Sequence, residues 1–295
     1  MDRLTPALAD AAEAMGRALA EFLPKMDGPE RRVVEAMAYA TLNGGKRLRP
    51  FLVLNSARLF DVPRERALRA AAAVEYVHCY SLVHDDLPAM DDDDLRRGKP
   101  TAHIQFDEAT AILAGDGLLT FAFELLGDAP THPDGAVRAE LVVALARASG
   151  AEGMVGGQMF DLRAEDVRLS LADITRLQAM KTGALFRFSC EAGAILGQAP
   201  ADARAALRDY ARDLGLAFQI ADDLLDHEGT EEEVGKKVGK DAAAGKGTFV
   251  SLLGADEARR RARSLAEQAA SHVARFGPKA DLLKDVARFV VERRA

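Results

Sequence analysis

The chain has no tryptophan, only four tyrosines and two cysteines among 295 residues, and each scarcity excludes something. With aromatics at 6% and alanine and leucine abundant, the composition favours helix over sheet. Cys79 and Cys190 lack metal-ligand spacing, and Asp2, Asp10 and Glu13 stand where a secretory leader would need an apolar run. Reduced thiols in a cytoplasmic protein are therefore expected. Long uncharged apolar runs are missing too. The best candidate for a membrane span, Ala67 to His84, is short and carries Arg69, Glu75 and His78, so a buried core helix is expected and no transmembrane segment. Basic charge is not in excess: 39 Lys and Arg against 46 Asp and Glu leave a net charge of −7, which argues against a nucleic-acid partner. No Ser/His/Asp or Cys/His set offers a nucleophile, "GGK" at 44–46 lacks the rest of a P-loop, and no stretch has EF-hand spacing.

What is present is helical periodicity. Apolar residues recur at three- and four-residue steps almost throughout, and no convincing alternating strand is found. Glycine and proline punctuation predicts helices near 5–22, 30–42, 49–60, 64–86, 107–126, 134–150, 153–163, 171–196, 201–227, 255–275 and 279–293. No Pro/Ser-rich linker divides them. One all-α domain spanning 1–295, a large helical bundle, follows.

Two acidic clusters end two of these helices. "SLVHDDLPAMDDDDLRRGKPT" packs six aspartates into ten residues. On an unbroken helix Asp85 and Asp91 would point about 120° apart. Pro88 disturbs the helix and biases Leu87 away from helical geometry, so a kink or loop over Leu87–Met90 can return Asp91 to the side of Asp85. In "FQIADDLLDHEG", Asp222 and Asp226 lie four residues apart and share a helix face. Carboxylates at a helix carboxyl end oppose the dipole unless a cation compensates. An acidic run alone reads as a solvated face. Two of them, each closing an apolar helix, point to Mg²⁺, which needs only one or two protein carboxylates per ion and bridges to phosphate.

Cations accompany both clusters. "NGGKRLRP" sets Lys46, Arg47 and Arg49 on a turn entering a helix, and "LRRGKPT" sets Arg96 and Arg97 beside the first cluster. Lys181 and Thr182 interrupt an apolar helix, and Lys236, Lys237, Lys240 and Lys246 follow the second cluster. Arginines suit bidentate phosphate contact and lysines act as point charges. His78 lies seven residues before Asp85 on roughly the same helix face, where a satisfied core histidine and a ligand both remain open.

With these segments in view, the chain closely resembles the short-chain trans-isoprenyl diphosphate synthases, particularly the bacterial farnesyl diphosphate synthase type. The resemblance rests on "GGKRLRP", "SLVHDDLPAMDDDDLRRGKPT", "GGQMFD", "KTG", "FQIADDLLD" and "GKGTFVSLLG", in family order over about four-fifths of the chain. It implies an all-α isoprenoid synthase fold, one polyprenyl synthetase domain around a central cavity. It also implies transfer of an allylic chain (dimethylallyl or geranyl) onto isopentenyl diphosphate, giving farnesyl diphosphate with about three Mg²⁺ per active site. By motif position, Asp85 and Asp91 would hold two ions and Asp222 a third, supported by Asp86 and Asp226. Arg96, Lys181, Gln219 and Lys236 would contact the allylic diphosphate. Lys46, Arg49, His78 and Arg97 would hold isopentenyl diphosphate. Thr182 would act near the reacting carbons, Lys246 near the diphosphates, and Gln158 and Asp161 would support the cavity. Tyr80, with Ser81 and Val77, would set chain length. A homodimer is a family expectation. "GKKVGKD" departs from the family's "GKPVGSD" and leaves open which of Lys236, Lys237 and Lys240 closes over the diphosphate.

The same motifs would serve a geranylgeranyl diphosphate synthase, differing in cavity depth. A terpene cyclase would lack the second acidic motif, a non-catalytic partner subunit would have lost aspartates, and a generic divalent-cation binder would not need Lys181 or Arg96.

Overall fold

In the computed structural model, which describes residues 3–164, 169–228 and 247–292, helices carry nearly all the regular structure. In chain order they are α1 (Leu4–Phe22), α2 (Arg31–Leu42), α3 (Leu48–Arg58), α4 (Arg64–Asp85), α5 (Ala102–Gln105), α6 (Glu108–Gly127), α7 (Gly135–Ser149), α8 (Met154–Arg163) and α9 (Leu171–Gln178). After a π turn at Ala179–Gly183 come α10 (Ala184–Leu196), α11 (Ala201–Glu228), α12 (Phe249–Leu253), α13 (Ala255–His272) and α14 (Asp281–Glu292). The predicted helices are all present among the described residues, with ends shifted by a few positions. Six features escaped the periodicity, two of them 3-10 turns at Ala129–Thr131 and Ala274–Ala280. The 171–196 helix is broken by the π turn, α5 and α12 are single short helices, and a two-residue hairpin pairs β1 (Leu95–Arg96) with β2 (Lys99–Pro100).

α4 is the axis of the bundle. Ala70, Ala71, Ala72 and Ala73 are all fully buried, so the helix is covered on every side, as an apolar helix without a solvent face must be. On one flank it packs against α6, with α1, α2, α7 and α10 completing one apolar cluster. A second cluster joins α1, α3, α10, α11, α13 and α14. Small side chains permit the close approaches. The Gly193 position of α10 leaves no room for a Cβ, which would stand 2.1 Å from the Ala57 amide nitrogen and 2.3 Å from Ser56 Oγ on α3. Here Ser56 Oγ lies 3.3 Å from the Ser189 carbonyl oxygen and can donate to it across the seam.

Among the described residues one helix, α6, is long and apolar enough to cross a membrane by length and composition. This corrects the choice of Ala67–His84 as the best candidate: charges lower the hydropathy of α4, whereas α6 carries its few acids near its ends and middle. α6 packs within the bundle against α2, α4 and α7.

Overpacking the α3–α10 seam is expected to be costly. Gly193→Ala should lower stability by about 1–3 kcal/mol, read as a fall in thermal midpoint, because the colliding atoms include backbone. Gly16→Ala on α1, where nothing lies within 4 Å, should instead hold or raise the midpoint.

Candidate active site

The carboxyl end of α4 is shaped by Pro88. The helix stops at Asp85, and the chain folds back so that the Asp91 amide donates to the Asp85 carbonyl at 2.8 Å and the Asp93 amide to the Asp86 carbonyl at 3.3 Å. The loop thus returns Asp91 to Asp85 as the proline required. The two aspartates ending α4 have different surroundings. Asp86 is buried and clamped by Arg96, whose Nε donates to Oδ1 at 2.8 Å and whose Nη2 donates to the same oxygen at 2.5 Å. Burial opposes the charge on Arg96, and its bonds to Asp86 overcome that. Asp86 itself stays above the usual carboxylate range, because burial and the neighbouring Asp93 and Asp91 outweigh one guanidinium. Asp85 has no such clamp. Burial pushes its carboxyl up to about 6, Asp91 and Asp86 add to the push, and Lys181 and Arg96 oppose it.

Arg96 reaches Asp86 because the chain reverses through the hairpin. Arg97 and Gly98 both take positive φ, 53° and 74°, the geometry of a two-residue turn matched to strand twist. Arg97 lies in that turn and donates to the Gly44 carbonyl. Gly45, at φ 119°, faces the same guanidinium: a Cβ there would lie 2.7 Å from Arg97 Cζ. Only glycine permits both the backbone angle and the approach.

The turn before α3 sorts its cations. Arg47 adopts a left-handed conformation (φ 48°) and points inward, where it pairs with buried Glu75 and donates to the Thr41 carbonyl. It is a structural residue. Lys46 stays exposed, and Arg49 lies over the Phe186 ring with Cζ 5.3 Å from the centroid. Its Nε is buried with no hydrogen-bond partner. Lys46, Arg49, His78 and Arg97 line one part of a cavity of about 740 Å³ whose other walls include Leu8, Phe186, Phe218 and Phe289. Burial, then Arg49, Arg97, Arg96 and Arg47, hold His78 well below its ordinary value, so the imidazole is neutral. Arg49 is itself lowered by burial, while Asp222 is among the acids that support its charge.

The π turn presents Lys181 and Thr182, both half-buried. Such turns widen a helix by one residue and often occur at functional sites. Lys181 Nζ donates to Asp161 Oδ2 at 2.6 Å across to α8, and Gln158, one turn earlier, holds a buried Oε1 with no partner. α8 approaches through Gly157, where a Cβ would fall 2.3 Å from the Lys181 amide nitrogen.

On α11, Gln219, Asp222 and Asp226 are half-buried along the last turns. Asp223, which sequence reasoning passed over, is buried and accepts from the Phe249 amide at 2.8 Å. It fastens the start of α12 to α11; its place inside "DDLLD" hid a structural role among candidate ligands. Lys236, Lys237, Lys240 and Lys246 lie outside the described residues.

Comparison with known proteins follows this geometry. The polyprenyl synthetase family profile matches residues 30–283. The chain belongs to the polyprenyl synthetase family. This polyprenyl synthetase is 45% identical to the farnesyl diphosphate synthase of Escherichia coli over 283 residues, 94% of each chain. It is 40% identical to geranylgeranyl pyrophosphate synthase 4 of Arabidopsis thaliana, covering 92% of this chain and 73% of the plant protein. A crystal structure of an FPP/GFPP synthase from Zymomonas mobilis superposes with a TM-score of 0.89 at 52% identity, covering 98% of this chain and 99% of that one. The polyprenyl synthetase is thus a trans-prenyltransferase of the short-chain isoprenyl diphosphate synthase family, bacterial farnesyl diphosphate synthase type, in the all-α fold expected.

Among the described residues no group of three or more acidic, histidine or cysteine side chains forms a metal cage by itself. The donor set still suits Mg²⁺, which takes few protein carboxylates and completes its shell with water and phosphate. The strain on Asp85 can be measured directly. A carboxylate whose folded value is raised opposes folding; that opposition is full above about 6, fades as pH falls and is absent below the unfolded value. In Mg²⁺-free buffer at about pH 8, Asp85→Asn should therefore raise stability by on the order of 2 kcal/mol. The gain should vanish at about pH 4, as followed by thermal denaturation at both pH values.

Proposed function

We propose that this trans-prenyltransferase condenses isopentenyl diphosphate with dimethylallyl and then geranyl diphosphate, and that its main product is farnesyl diphosphate. The observation that carries this reading is the opposition of charge within one site. Asp85, crowded by Asp91 and Asp86, lies within reach of Lys181 and Arg96, while Arg49 and Arg97 gather around a neutral His78 with Asp222 nearby. Neither group is at ease alone. A diphosphate with divalent cations answers both, because the anion meets the guanidiniums and the cations meet the carboxylates.

In this reading Asp85, Asp91 and Asp222 would hold Mg²⁺, with Asp226 in support, and the bound ions would neutralise charge on the departing diphosphate. Asp86 serves by fixing Arg96. Lys181, oriented by Asp161, and Arg96 hold the allylic diphosphate, and their attraction grows as its C–O bond breaks and negative charge collects there. Lys46, Arg49, Arg97 and neutral His78 hold isopentenyl diphosphate with its double bond towards the allylic carbon. Bond formation leaves a cation that loses a proton, which the departing diphosphate accepts. Gln219 joins Lys181 and Arg96 at the allylic diphosphate, Thr182 borders the reacting carbons, and the apolar walls exclude water. Exposed Ile112 and Leu113 on α6 support pairing with a second copy.

Chain length is proposed to be set by Tyr80. It is buried five residues before Asp85, about 7.5 Å deeper along the helix axis. Ser81 tucks its hydroxyl against the His78 carbonyl at 2.9 Å, leaving space below the carboxylates, and Val77 follows beneath. A longer product is the second reading, favoured by the FPP/GFPP description of the Zymomonas relative.

Incubation of the protein with labelled isopentenyl diphosphate and each allylic primer, with and without Mg²⁺, should yield a fifteen-carbon product by chromatography in the presence of the ion alone. Metal-independent turnover, or none with either primer, would overturn the reading. Tyr80→Ala should shift the product from fifteen towards twenty carbons. An active Tyr80→Ala enzyme that still stops at fifteen would remove Tyr80 as the floor.

A further inference from the structure

The floor residue has a support that the substrate-binding residues do not explain. His84, one turn above Tyr80 on α4, meets the Tyr80 ring edge to face, with centroids 5.6 Å apart and planes at 87°. On its other side the His84 ring lies on the backbone of α6. Its Nε2 is 3.0 Å from the Ile112 carbonyl oxygen, to which it donates. The ring occupies the space where Gly115 has no side chain: a Cβ there would stand 2.1 Å from Nε2, 2.4 Å from Cδ2 and 2.9 Å from Cε1. The imidazole is thus held between an aromatic face and a bare stretch of helix, its direction fixed by one hydrogen bond.

We propose that His84 and Gly115 are positioning residues for Tyr80, and that product length is set by this three-part stack and not by Tyr80 alone. The inference rests on the reading of Tyr80 as the cavity floor. Physically, a tyrosine at the end of a growing chain stops elongation only if its ring keeps one rotamer under the pressure of the alkyl tail. Rotamer choice at a single aromatic is a soft restraint. His84 stiffens it by packing against the ring, and the α6 backbone at Ile112 and Gly115 blocks its retreat on that side. Gly115 sets the distance: any side chain there pushes the imidazole towards Tyr80 or off the α6 carbonyl. α4 and α6 pack against each other, so on that side the imidazole is backed by the α6 main chain, while its remaining edge is open and its Nε2 lies 4.0 Å from Asp116 Oδ1.

The test compares product ratios in Tyr80→Ala, His84→Ala, Gly115→Ala and His84→Phe, with thermal midpoints measured in parallel. His84→Ala should raise the twenty- to fifteen-carbon ratio by about fivefold, the size expected for loss of one side-chain restraint. Gly115→Ala should also change the ratio, in the same direction if the imidazole leaves its seat. His84→Phe keeps a ring against Tyr80 and should restore most of the wild-type ratio even if stability stays lowered. A merely structural His84 would lower the midpoint and leave the ratio alone. If Tyr80→Ala lengthens the product but His84→Ala does not, the stack is refuted and the floor stands. If Tyr80→Ala leaves product length unchanged, the floor reading fails and the stack falls with it. Should Gly115→Ala not fold, His84→Ala, which only removes atoms, decides the matter.

Discussion

Carboxylates at the carboxyl ends of α4 and α11 stand where the helix dipole least favours negative charge, and much of the surrounding structure exists to keep them there. Pro88 stops α4 and returns Asp91 to the Asp85 carbonyl instead of letting the chain carry it away. The hairpin through Arg97 and Gly98 brings Arg96 back to clamp Asp86, while Asp85, raised by burial, is only partly offset by Lys181 and Arg96. On α11, buried Asp223 is occupied by the Phe249 amide, which separates it from Asp222 and Asp226. In each cluster one aspartate is taken up by the fold, Asp86 by Arg96 and Asp223 by the Phe249 amide. Under the proposed chemistry, a cation arriving at such a site would relieve the cost of holding carboxylates at helix ends and would concentrate binding energy on the metal and diphosphate.

The opposing cations obey the same division. Arg47 is spent on Glu75 inside the bundle, and its pairing holds the turn that presents Lys46 and Arg49. Burying an arginine with one carboxylate is close to neutral for stability, yet removing either partner leaves a buried charge, so the pair fixes the turn more than it strengthens it. Gly45 then admits Arg97, tying the loop before α3 to the hairpin after α4. The cations of the two loops are therefore mechanically linked through Arg97, although they belong to segments far apart in sequence.

Most of the bundle was legible in the sequence because amphipathic periodicity over ten or more residues is a strong signal. The Pro88 loop was legible because proline's effect on the residues around it is local. The exceptions share a cause. The π turn changes the hydrogen-bond step within five residues, too few to alter a periodicity, and neither α5 nor α12 completes two turns. The hairpin has two residues per strand, and alternation needs more. Among site residues, identity revealed charge without direction. Arg47 reads as one of three equivalent cations until its left-handed backbone turns it inward, and Asp86 is indistinguishable from Asp85 until Arg96 folds back onto it. Partnerships made across the fold are what single-sequence spacing does not encode.

One helix carries His78, Tyr80 and Asp85, with Asp86 capping it. Their separations are set by a rise of about 1.5 Å per residue and do not depend on how neighbouring loops settle. Ala70–Ala73 are covered on all sides, so α4 has little freedom to slide or rotate against the bundle. Under the proposed chemistry, the depth from the metal-binding carboxylates to the Tyr80 ring is then a property of helix pitch. What could vary is the lateral position of that ring, which the proposed stack would control from α6, the helix packed beside it. On this reading, a change of chain length requires no alteration at the carboxylates. It would require only a change in volume one or two turns below them or on the facing helix.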